Sequence, residues 1–372
     1  MEIRKVPFFN YPAVFNTYEE DFVRIFKDVG HRGAFIMQKD MADFERNLAE
    51  YSGAKFCVGL NNATDAILLG LLAAGIKPGD EVIFCSHTFV ATAGAIHFAG
   101  GIPVPVEAGT DHLMDVDHLE KAITKKTKFI VPTQLNGRTC NMDRVVAIAK
   151  KHGLKIIEDS AQGLGSKYKG KNAGTFGEAA CISFYPAKNL GTLGDSGALL
   201  TNNEEIYKQV LQLRDHGRSP ETGEIVRFGY NMRMDNLHGA FLNFLLQKYD
   251  SVVTHRRAVA EVYESQLKNV EELVRPPAPN SDADHFDVFQ NYEIEAEDRD
   301  QLKAYLSERG IGSMVQWGGK AVHQFAGLKL NYSLPFTENL FKRMLLLPMN
   351  NTITINEVKY ICENIKAFYA RN

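Results

Sequence analysis

The feature that most constrains the fold of this chain is a regular alternation of short apolar strands and helical segments between residues 56 and 200. Hydrophobic periodicity predicts strands at residues 56–60, 81–85, 101–106 and 129–133, and helices at residues 116–124 and 142–152. Strands that alternate with helices are typical of a parallel sheet covered by helices on both faces. We therefore predict an α/β fold whose large domain has three layers, α/β/α, around a mainly parallel sheet.

A chain of 372 residues exceeds the usual size of one hydrophobic core, so a second, smaller domain is expected. The clearest linker is the proline cluster at residues 274–279, and a long helical pattern at 237–267 precedes it. We predict a large domain at residues 1–250, including the N-terminal helices, and a small α+β domain at residues 251–372. In the latter, the pattern predicts a strand at residues 288–295 and helices at 299–309 and 360–370.

Composition excludes several classes of function. The net charge is −3 and no basic block is present, which argues against a nucleic-acid partner. The five cysteines are odd in number and lack C-x-x-C spacing, so we expect buried free thiols and neither disulfides nor a metal site. The longest apolar run, residues 66–76, is shorter than the roughly 20 residues needed to span a bilayer. Without a signal-peptide pattern, a cytoplasmic protein with no membrane partner is expected.

Lys188 stands alone in a glycine-rich loop that follows a short apolar strand and Pro186. No other cation lies between Lys171 and Lys208, and the neighbouring residues are aromatic, aliphatic or small. Desolvation lowers the pKa of a lysine and makes its neutral amine available as a nucleophile toward a carbonyl. The alternative interpretation is an ordinary solvated loop lysine.

Asp159 ends an apolar segment, residues 154–159, that is typical of a buried parallel strand. Open α/β sheets bind ligands at the carboxyl ends of such strands. A pyridoxal phosphate enzyme needs a lysine for the Schiff base, a carboxylate at the pyridine nitrogen and donors for the phosphate. Lys188, Asp159 and Ser183 supply these three groups.

A phosphate site is indicated where the first strand is followed by Asn61, Asn62, Ala63, Thr64 and Asp65 and then by a strongly apolar helix. The free backbone N–H groups and the dipole of a helix N-terminus favour an anion. The alternative is a helix cap without a ligand.

Three motifs carry a resemblance to a known family: EDSAQ at residues 158–162, SFYPAKNLG at 183–191 and GDSG at 194–197. They resemble the signature of the DegT/DnrJ/EryC1/StrS family of pyridoxal phosphate-dependent nucleotide-sugar aminotransferases, which have the type I fold of the aspartate aminotransferase superfamily. The resemblance runs from about residue 35 to the final helix. It implies that Lys188 and Asp159 are catalytic and that pyridoxal phosphate is the cofactor.

The resemblance also implies further cofactor contacts. These are Ala63, Thr64 and Asp65 at the phosphate, Phe89 stacked on the pyridine ring, Gln162 beside the phenolic oxygen, and Asn231, which reaches the partner's phosphate across a homodimer interface. From the residues alone, Phe89 is equally a core aromatic and Asn231 a turn residue.

Substrate contacts are expected where this chain departs from the usual pattern of the family. The loop at residues 134–137 lacks the aromatic or histidine pair that normally precedes its glycine, and Asn136 is the candidate there. Trp317 and His323 are candidates in the small domain. A core tryptophan and a surface histidine are the alternatives.

The function implied by the resemblance is transfer of an amino group from glutamate to a 3- or 4-keto-6-deoxy nucleotide sugar for amino-sugar biosynthesis. Lys188 would move a proton between the donor's α carbon and C4′ of the cofactor. Two alternatives remain open: a sugar dehydratase, although such relatives have histidine in place of the lysine that this chain keeps, and a regulatory relative that binds the cofactor without turnover.

Overall fold

The computed structural model describes residues 3–370; residues 1–2 and 371–372, at the outer ends of the two predicted domains, lie outside the described part. Its helices are α1 (Tyr11–Thr17), α2 (Glu19–Arg32), α3 (Lys39–Ser52), α4 (Ala63–Ala73), α5 (Val90–Phe98), α6 (Val116–Lys121), α7 (Met142–His152), α8 (Glu204–Arg214), α9 (Asn236–Leu246), α10 (Tyr249–Leu267), α11 (Arg299–Glu308), α12 (Pro335–Arg343) and α13 (Ile355–Tyr369). Its strands are β1 (Phe56–Leu60), β2 (Glu81–Cys85), β3 (Ile102–Val106), β4 (Thr127–Val131), β5 (Lys155–Asp159), β6 (Lys167–Tyr168), β7 (Lys171–Asn172), β8 (Ala179–Ser183), β9 (Gly197–Thr201), β10 (Leu273–Val274), β11 (His285–Phe286), β12 (Tyr292–Ala296) and β13 (Met344–Leu347).

The large sheet contains seven strands in the order β1-β9-β8-β5-β4-β2-β3. Pairing is parallel from β8 through β5, β4 and β2 to β3, whereas β9 is antiparallel to both of its neighbours, β1 and β8. Alternate strand residues enter opposite cores, because Val58 and Leu199 pack with α4 while Cys57 and Leu200 pack with α3 and α9. The predicted three-layer, mainly parallel fold is confirmed.

A second sheet, β10-β12-β13, is antiparallel and packs against α10, α11 and α13. Tyr263 and Tyr292 stack in its core with ring centroids 4.6 Å apart. Val6, near the start of the chain, belongs to the same core and pairs with Ile311. The N-terminal segment therefore packs on the C-terminal unit, whereas the boundary at residue 250 stays a prediction.

Helix α10 joins the two units. Its first turns, with Tyr249 and Val253, pack in the core beneath the large sheet. Its later turns, with Val259, Tyr263 and Leu267, pack in the core of the small sheet. One continuous helix therefore contributes to two hydrophobic cores.

Some predicted boundaries were wrong. The single helix expected at residues 237–267 is two helices, because the chain turns at Gln247 and Lys248 to pack α9 against α3 and α10 against the small sheet. The strand expected from residue 288 begins at Tyr292, since Phe289 has a left-handed φ of 49°. The last helix begins earlier than expected, where Thr354 forms a capping box.

All five cysteines are buried and free, as the sequence predicted. Burial raises the pKa of the Cys85 thiol to about 12, which keeps it protonated and unreactive. Over residues 3–370, none of the helices has both the length and the apolar character that a membrane span requires.

Candidate active site

The candidate active site is a cavity of about 490 Å³ at the carboxyl ends of β2, β4, β5 and β8. Parallel strands bring their carboxyl ends to one edge of a sheet, so residues distant in sequence meet there. The predicted site residues that line this cavity are Ala63, Thr64, Phe89, Asp159, Gln162, Ser183, Lys188 and Trp317.

Asp159 is the last residue of β5, and only 5% of its surface is exposed. Its Oδ2 atom accepts a hydrogen bond of 2.6 Å from the hydroxyl of Thr92. Its Oδ1 atom accepts from the backbone N–H of Ala161 at 3.2 Å and from the thiol of Cys181 at 3.3 Å. These donors fix the carboxylate in one orientation, with lone pairs left for a group in the cavity.

Lys188 lies in the loop that follows β8, where its backbone N–H bonds to the carbonyl of Tyr185 at 2.8 Å. Its side chain lines the same cavity as Asp159. Burial lowers the pKa of the Lys188 ammonium, and the nearby carboxylate of Asp159 opposes this effect only in part. A larger share of the amine is therefore neutral and nucleophilic than in a solvated lysine.

The predicted phosphate site is the N-terminus of α4. Asn62 caps this helix by accepting a 2.8 Å hydrogen bond from the N–H of Asp65. Gly197 of β9 lies against the turn so closely that an added Cβ would be 2.4 Å from the carbonyl carbon of Asn62 and 2.6 Å from the nitrogen of Ala63. This close contact fixes the backbone at the start of α4, where Ala63 and Thr64 line the cavity.

Two aromatic side chains stand at the mouth of the cavity. Phe89, at the N-cap of α5, is 53% exposed, and its ring centroid is 6.4 Å from that of Trp317. Trp317 comes from a short segment after α11 whose backbone takes left-handed conformations at Trp317 and Gly318. Flat rings in these positions can cover a planar ligand.

Gln162 follows β5, and the oxygen and nitrogen atoms of its side-chain amide have different roles. Its Oε1 atom accepts the backbone N–H of Asn136 at 2.8 Å and the side chain of Asn291 at 3.2 Å. With the oxygen occupied, the Nε2 atom is the part of this side chain that can donate into the cavity.

Four predicted site residues are not among those that line the cavity: Asp65, Asn136, Asn231 and His323. Asp65 pairs with the side chain of Asn62, and Asn136 accepts a 2.8 Å hydrogen bond from Asn291 behind Gln162. Asn231 is exposed and pairs with Asp215, so it lies away from the cavity of its own chain.

His323 is buried, so the alternative of a surface histidine was wrong. Its Nδ1 atom is 2.7 Å from the hydroxyl of Ser86, and its Nε2 atom is 3.3 Å from Oε1 of Glu338. These two partners use both ring nitrogens to join the end of β2 to α12. A contact between His323 and substrate has no support in this geometry.

Sequence reasoning missed several residues of the site, among them Thr92, Tyr185 and Asp195. Thr92 supports Asp159, and a polar residue in the first turn of the mostly apolar helix α5 is a signal that could have identified it. Tyr185 and Asp195 also line the cavity, and both lie within the motifs around Lys188. Their contribution depends on side-chain direction, which the motif spacing does not give.

The residues fit pyridoxal phosphate. The cavity offers an amine with a lowered pKa for an aldehyde, an oriented carboxylate for a pyridine nitrogen and an amide donor for a phenolic oxygen. The start of α4 and the Ser183 hydroxyl face the same cavity and suit a phosphate. A volume of about 490 Å³ accommodates a cofactor of this size together with part of a substrate.

A family model described as the DegT/DnrJ/EryC1/StrS aminotransferase family matches residues 16–366. The chain belongs to this family. The resemblance inferred from three short motifs is thereby confirmed over nearly the whole chain, and with it the assignment to pyridoxal phosphate-dependent sugar aminotransferases.

Two relatives in the DegT/DnrJ/EryC1/StrS family bear different kinds of name. The "Pleiotropic regulatory protein" of Geobacillus stearothermophilus is 38% identical, over 98% of each chain. The UDP-2-acetamido-2-deoxy-3-oxo-D-glucuronate aminotransferase of Pseudomonas aeruginosa is 34% identical, over 89% of this chain and 91% of its own. Sequence similarity to the family therefore includes proteins named for regulation as well as for catalysis.

A solved structure gives the cofactor of a family relative. NtdA from Bacillus subtilis, whose crystal structure contains its bound cofactor PMP, superposes with a TM-score of 0.90. It is 30% identical, and the match covers 99% of this chain and 86% of NtdA. PMP is the amino form of pyridoxal phosphate, the cofactor that the cavity described above fits.

Proposed function

We propose that this protein transfers an amino group from glutamate to a 3- or 4-keto-6-deoxy nucleotide sugar, and that it thereby serves amino-sugar biosynthesis. The observation that carries the proposal is the shared cavity of Lys188 and Asp159, in which burial lowers the pKa of the lysine. A neutral amine and an oriented carboxylate facing one cavity are the two groups that transamination requires.

Lys188 has two tasks in this proposal. As a neutral amine, which the lowered pKa favours, Lys188 would hold pyridoxal phosphate through its aldehyde carbon with release of water. As a free amine, its Nζ atom would take a proton from the donor's α carbon and return one at C4′. Because burial disfavours its charged form, Nζ is well suited to accept and then release that proton.

Asp159 holds a proton on the pyridine nitrogen. When bound, pyridoxal phosphate supplies an electron sink for the carbon that loses its proton, and a protonated ring nitrogen strengthens that sink. Thr92, Ala161 and Cys181 keep the carboxylate fixed, so little reorganisation is needed during the reaction.

The choice of sugar acceptor rests on the relatives and on the shape of the cavity mouth. The Pseudomonas relative is named for a UDP-linked 3-oxo sugar. In this chain, Phe89 and Trp317 line the cavity and Phe89 is 53% exposed, so aromatic surface is available to a sugar ring with an attached nucleotide.

A composite active site is part of the proposal. Asn231 is exposed and lies outside its own cavity, and Phe228, in the same segment, is 100% exposed. An exposed aromatic beside an amide donor is suited to an interface with a second copy of the chain. As the resemblance to the family implies, we propose that Asn231 reaches the phosphate of the partner's cofactor within a homodimer, and its exposure agrees with this role.

Absorption spectroscopy tests the proposed function. Protein loaded with pyridoxal phosphate should lose its visible absorption when glutamate is added and regain it with a nucleotide-linked keto sugar. A panel of 3-keto and 4-keto sugars identifies the acceptor. Lys188→Ala should abolish turnover, with Lys208→Ala, a surface lysine of α8, as the matched control. More than a trace of turnover in Lys188→Ala would refute the role of this residue.

The alternative of a regulatory protein without turnover has one observation in its favour, the name of the Geobacillus relative. The same experiment separates the two functions. A regulatory protein would bind the cofactor yet show no spectral change with glutamate or any other amino donor.

A further inference from the structure

The carboxamide of Gln290 bridges the two peptide groups on either side of Lys188. Its Nε2 atom donates a 2.9 Å hydrogen bond to the carbonyl of Ala187, and its Oε1 atom accepts a 2.9 Å hydrogen bond from the N–H of Asn189. Gln290 is 7% exposed, so water competes little for these bonds. One side chain therefore ties down the backbone immediately before and after the reactive lysine.

Gln290 is itself held from behind by Arg256 of α10. The Nη1 atom of Arg256 donates to the carbonyls of Phe289 at 2.9 Å and of Gln290 at 3.0 Å. Arg256 is 3% exposed and therefore has little freedom to move. A backbone contact adds to this restraint, because a Cβ at Gly137 would lie 2.6 Å from the nitrogen of Gln290.

A second set of bonds closes the network on the residue after the lysine. The side-chain amide of Asn189 donates to the backbone carbonyl of Val288 at 3.1 Å. The backbone carbonyl of Asn189 accepts a hydrogen bond from the side chain of Asn351 at 3.3 Å. Asn351 in turn accepts a 2.8 Å hydrogen bond from Nε of Arg256. These hydrogen bonds join the loop after β8 to Arg256 of α10, the helix that packs against the small sheet.

The next residue, Asn291, contacts the opposite side of the cavity. Its Nδ2 atom donates to Oε1 of Gln162 at 3.2 Å and to Oδ1 of Asn136 at 2.8 Å. Gln290 and Asn291 are consecutive, so one segment at the junction of the two units restrains both Lys188 and Gln162.

We propose that Gln290 is a positioning residue that fixes the backbone from which the Lys188 amine reaches the cofactor. This inference rests on the proposed role of Lys188. Lys188 lies between the two peptide groups that Gln290 binds, so loss of these bonds would release the backbone that carries its side chain. Rate falls steeply when a reacting group is misplaced by about 1 Å, so restraint of the backbone acts on catalysis through Lys188.

The test compares Gln290→Met with the unaltered protein, both loaded with pyridoxal phosphate. Methionine keeps the length and much of the volume of the side chain but removes both hydrogen bonds. We expect kcat to fall about 10- to 100-fold while KM for glutamate changes less than about threefold. The backbone N–H of Asn189 should exchange with solvent deuterium faster, because it has lost its acceptor.

A second variant, Gln290→Glu, keeps the proposal testable if the methionine variant does not fold. It retains an acceptor for the N–H of Asn189 but, when ionised, cannot donate to the carbonyl of Ala187. Its kcat relative to the unaltered protein should fall as pH rises and the introduced carboxyl loses its proton. Circular dichroism of this variant at each pH distinguishes a fall in kcat of the folded protein from unfolding caused by the buried carboxylate.

Asn47→Ala is the matched control, since it removes a 2.7 Å side-chain amide bond to Asn243, neither residue lines the cavity, and kcat should stay unchanged. A kcat for Gln290→Met within about twofold of the unaltered protein, or a loss confined to KM, overturns the proposal. If the unaltered protein shows no visible absorption change with glutamate, the proposed function has failed instead.

Discussion

The hydroxyl of Thr92 donates a 2.6 Å hydrogen bond to Oδ2 of Asp159, and both residues are buried. Thr92 itself lies 3.0 Å from the hydroxyl of Thr88, which receives a further bond of 3.1 Å from Thr133. A chain of three hydroxyl groups thus leads to the carboxylate that faces the pyridine position. The orientation of Asp159 is therefore set by residues from the ends of β2 and β4 as well as from β5.

Asp159→Asn should lower kcat about 10²- to 10³-fold, because an amide does not keep a proton on the pyridine nitrogen as a carboxylate does. The cofactor should still attach to Lys188. Asp195→Asn, which alters another carboxylate of the same cavity, is the control and should cost far less. Steady-state kinetics of glutamate conversion measures both, and equal losses in the two variants would contradict the special role of Asp159.

Thr92→Val should lower kcat about 10-fold, since one hydrogen bond to a charged group is removed without a change of shape. The pH at which the visible absorption of the loaded protein changes should also shift, because Asp159 loses a donor. A Thr92→Ser variant keeps the hydroxyl and should retain most of the activity. Loss of activity in the serine variant would show that packing of the threonine methyl, and not its hydrogen bond, matters.

Gly197→Ala should weaken cofactor binding at least about 10-fold, because the added Cβ would meet the backbone of Asn62 and Ala63 at 2.4–2.6 Å and displace the start of α4. The free energy of unfolding should fall by about 1–3 kcal/mol from the same clash. Gly327→Ala is the control, since nothing lies within 4 Å of its added Cβ. Equilibrium dialysis with pyridoxal phosphate gives the affinity, and an unchanged value would exclude this end of α4 as the phosphate site.

Mixing two inactive variants tests the shared active site. Lys188→Ala and Asn231→Ala should each be poorly active alone. In a heterodimer of the two, one cavity carries both changes and the other carries neither. Random exchange of subunits should therefore restore about a quarter of the activity of the unaltered protein. If mixing restores nothing although subunits exchange, Asn231 acts within its own chain or not at all.

An ionic cluster around the buried carboxylate of Glu293 joins the two units. His112, from the loop after β3, contacts Glu293 at 2.7 Å and Glu295 at 3.2 Å, both on β12. Burial alone would lower the pKa of His112, but the hydrogen bonds to the two carboxylates raise it to about 10. His87 lies 3.4 Å from Glu293, and Arg343 lies 3.3 Å from Glu295.

This cluster predicts a loss of stability at alkaline pH. Because the pKa of His112 is higher in the folded state than its ordinary value of 6.5, its stabilisation is fully present below pH 6.5 and is lost as pH rises through about 10. His112→Gln should destabilise the protein by about 3 kcal/mol at neutral pH and remove this part of the pH dependence. Thermal unfolding followed from pH 6 to 10 provides the measurement, and parallel curves for both proteins would contradict it.

The fold and the centre of the site were predictable because their signals are local. The strands β1 and β2 and the helix α7 have the predicted bounds, since each is a short periodic segment between clear turn residues. Lys188 was identified because it is the one cation in a glycine-rich loop after an apolar strand, and Asp159 because it ends an apolar segment typical of a buried parallel strand.

Other features depend on tertiary contacts that no local pattern records. The pattern of residues 288–295 predicted one strand, yet Arg256 and Gly137 hold its first residues in an irregular conformation beside the Lys188 loop. His323 is held by two partners. Ser86 lies more than 200 residues away in sequence, and Glu338 lies 15 residues away. The roles of Gln290 and His323 therefore become visible only in the folded chain.

Helix α10 is one continuous helix that places side chains in both hydrophobic cores. Tyr249 and Val253 lie in one core, and Tyr263 and Leu267 lie in the other. A helix shared in this way couples the two units, because unfolding of either core removes packing that stabilises the helix. The other core then loses the side chains that the helix contributes to it. Calorimetry should therefore record one cooperative endotherm for the whole chain, and isolated halves cut within this helix should lack a stable fold.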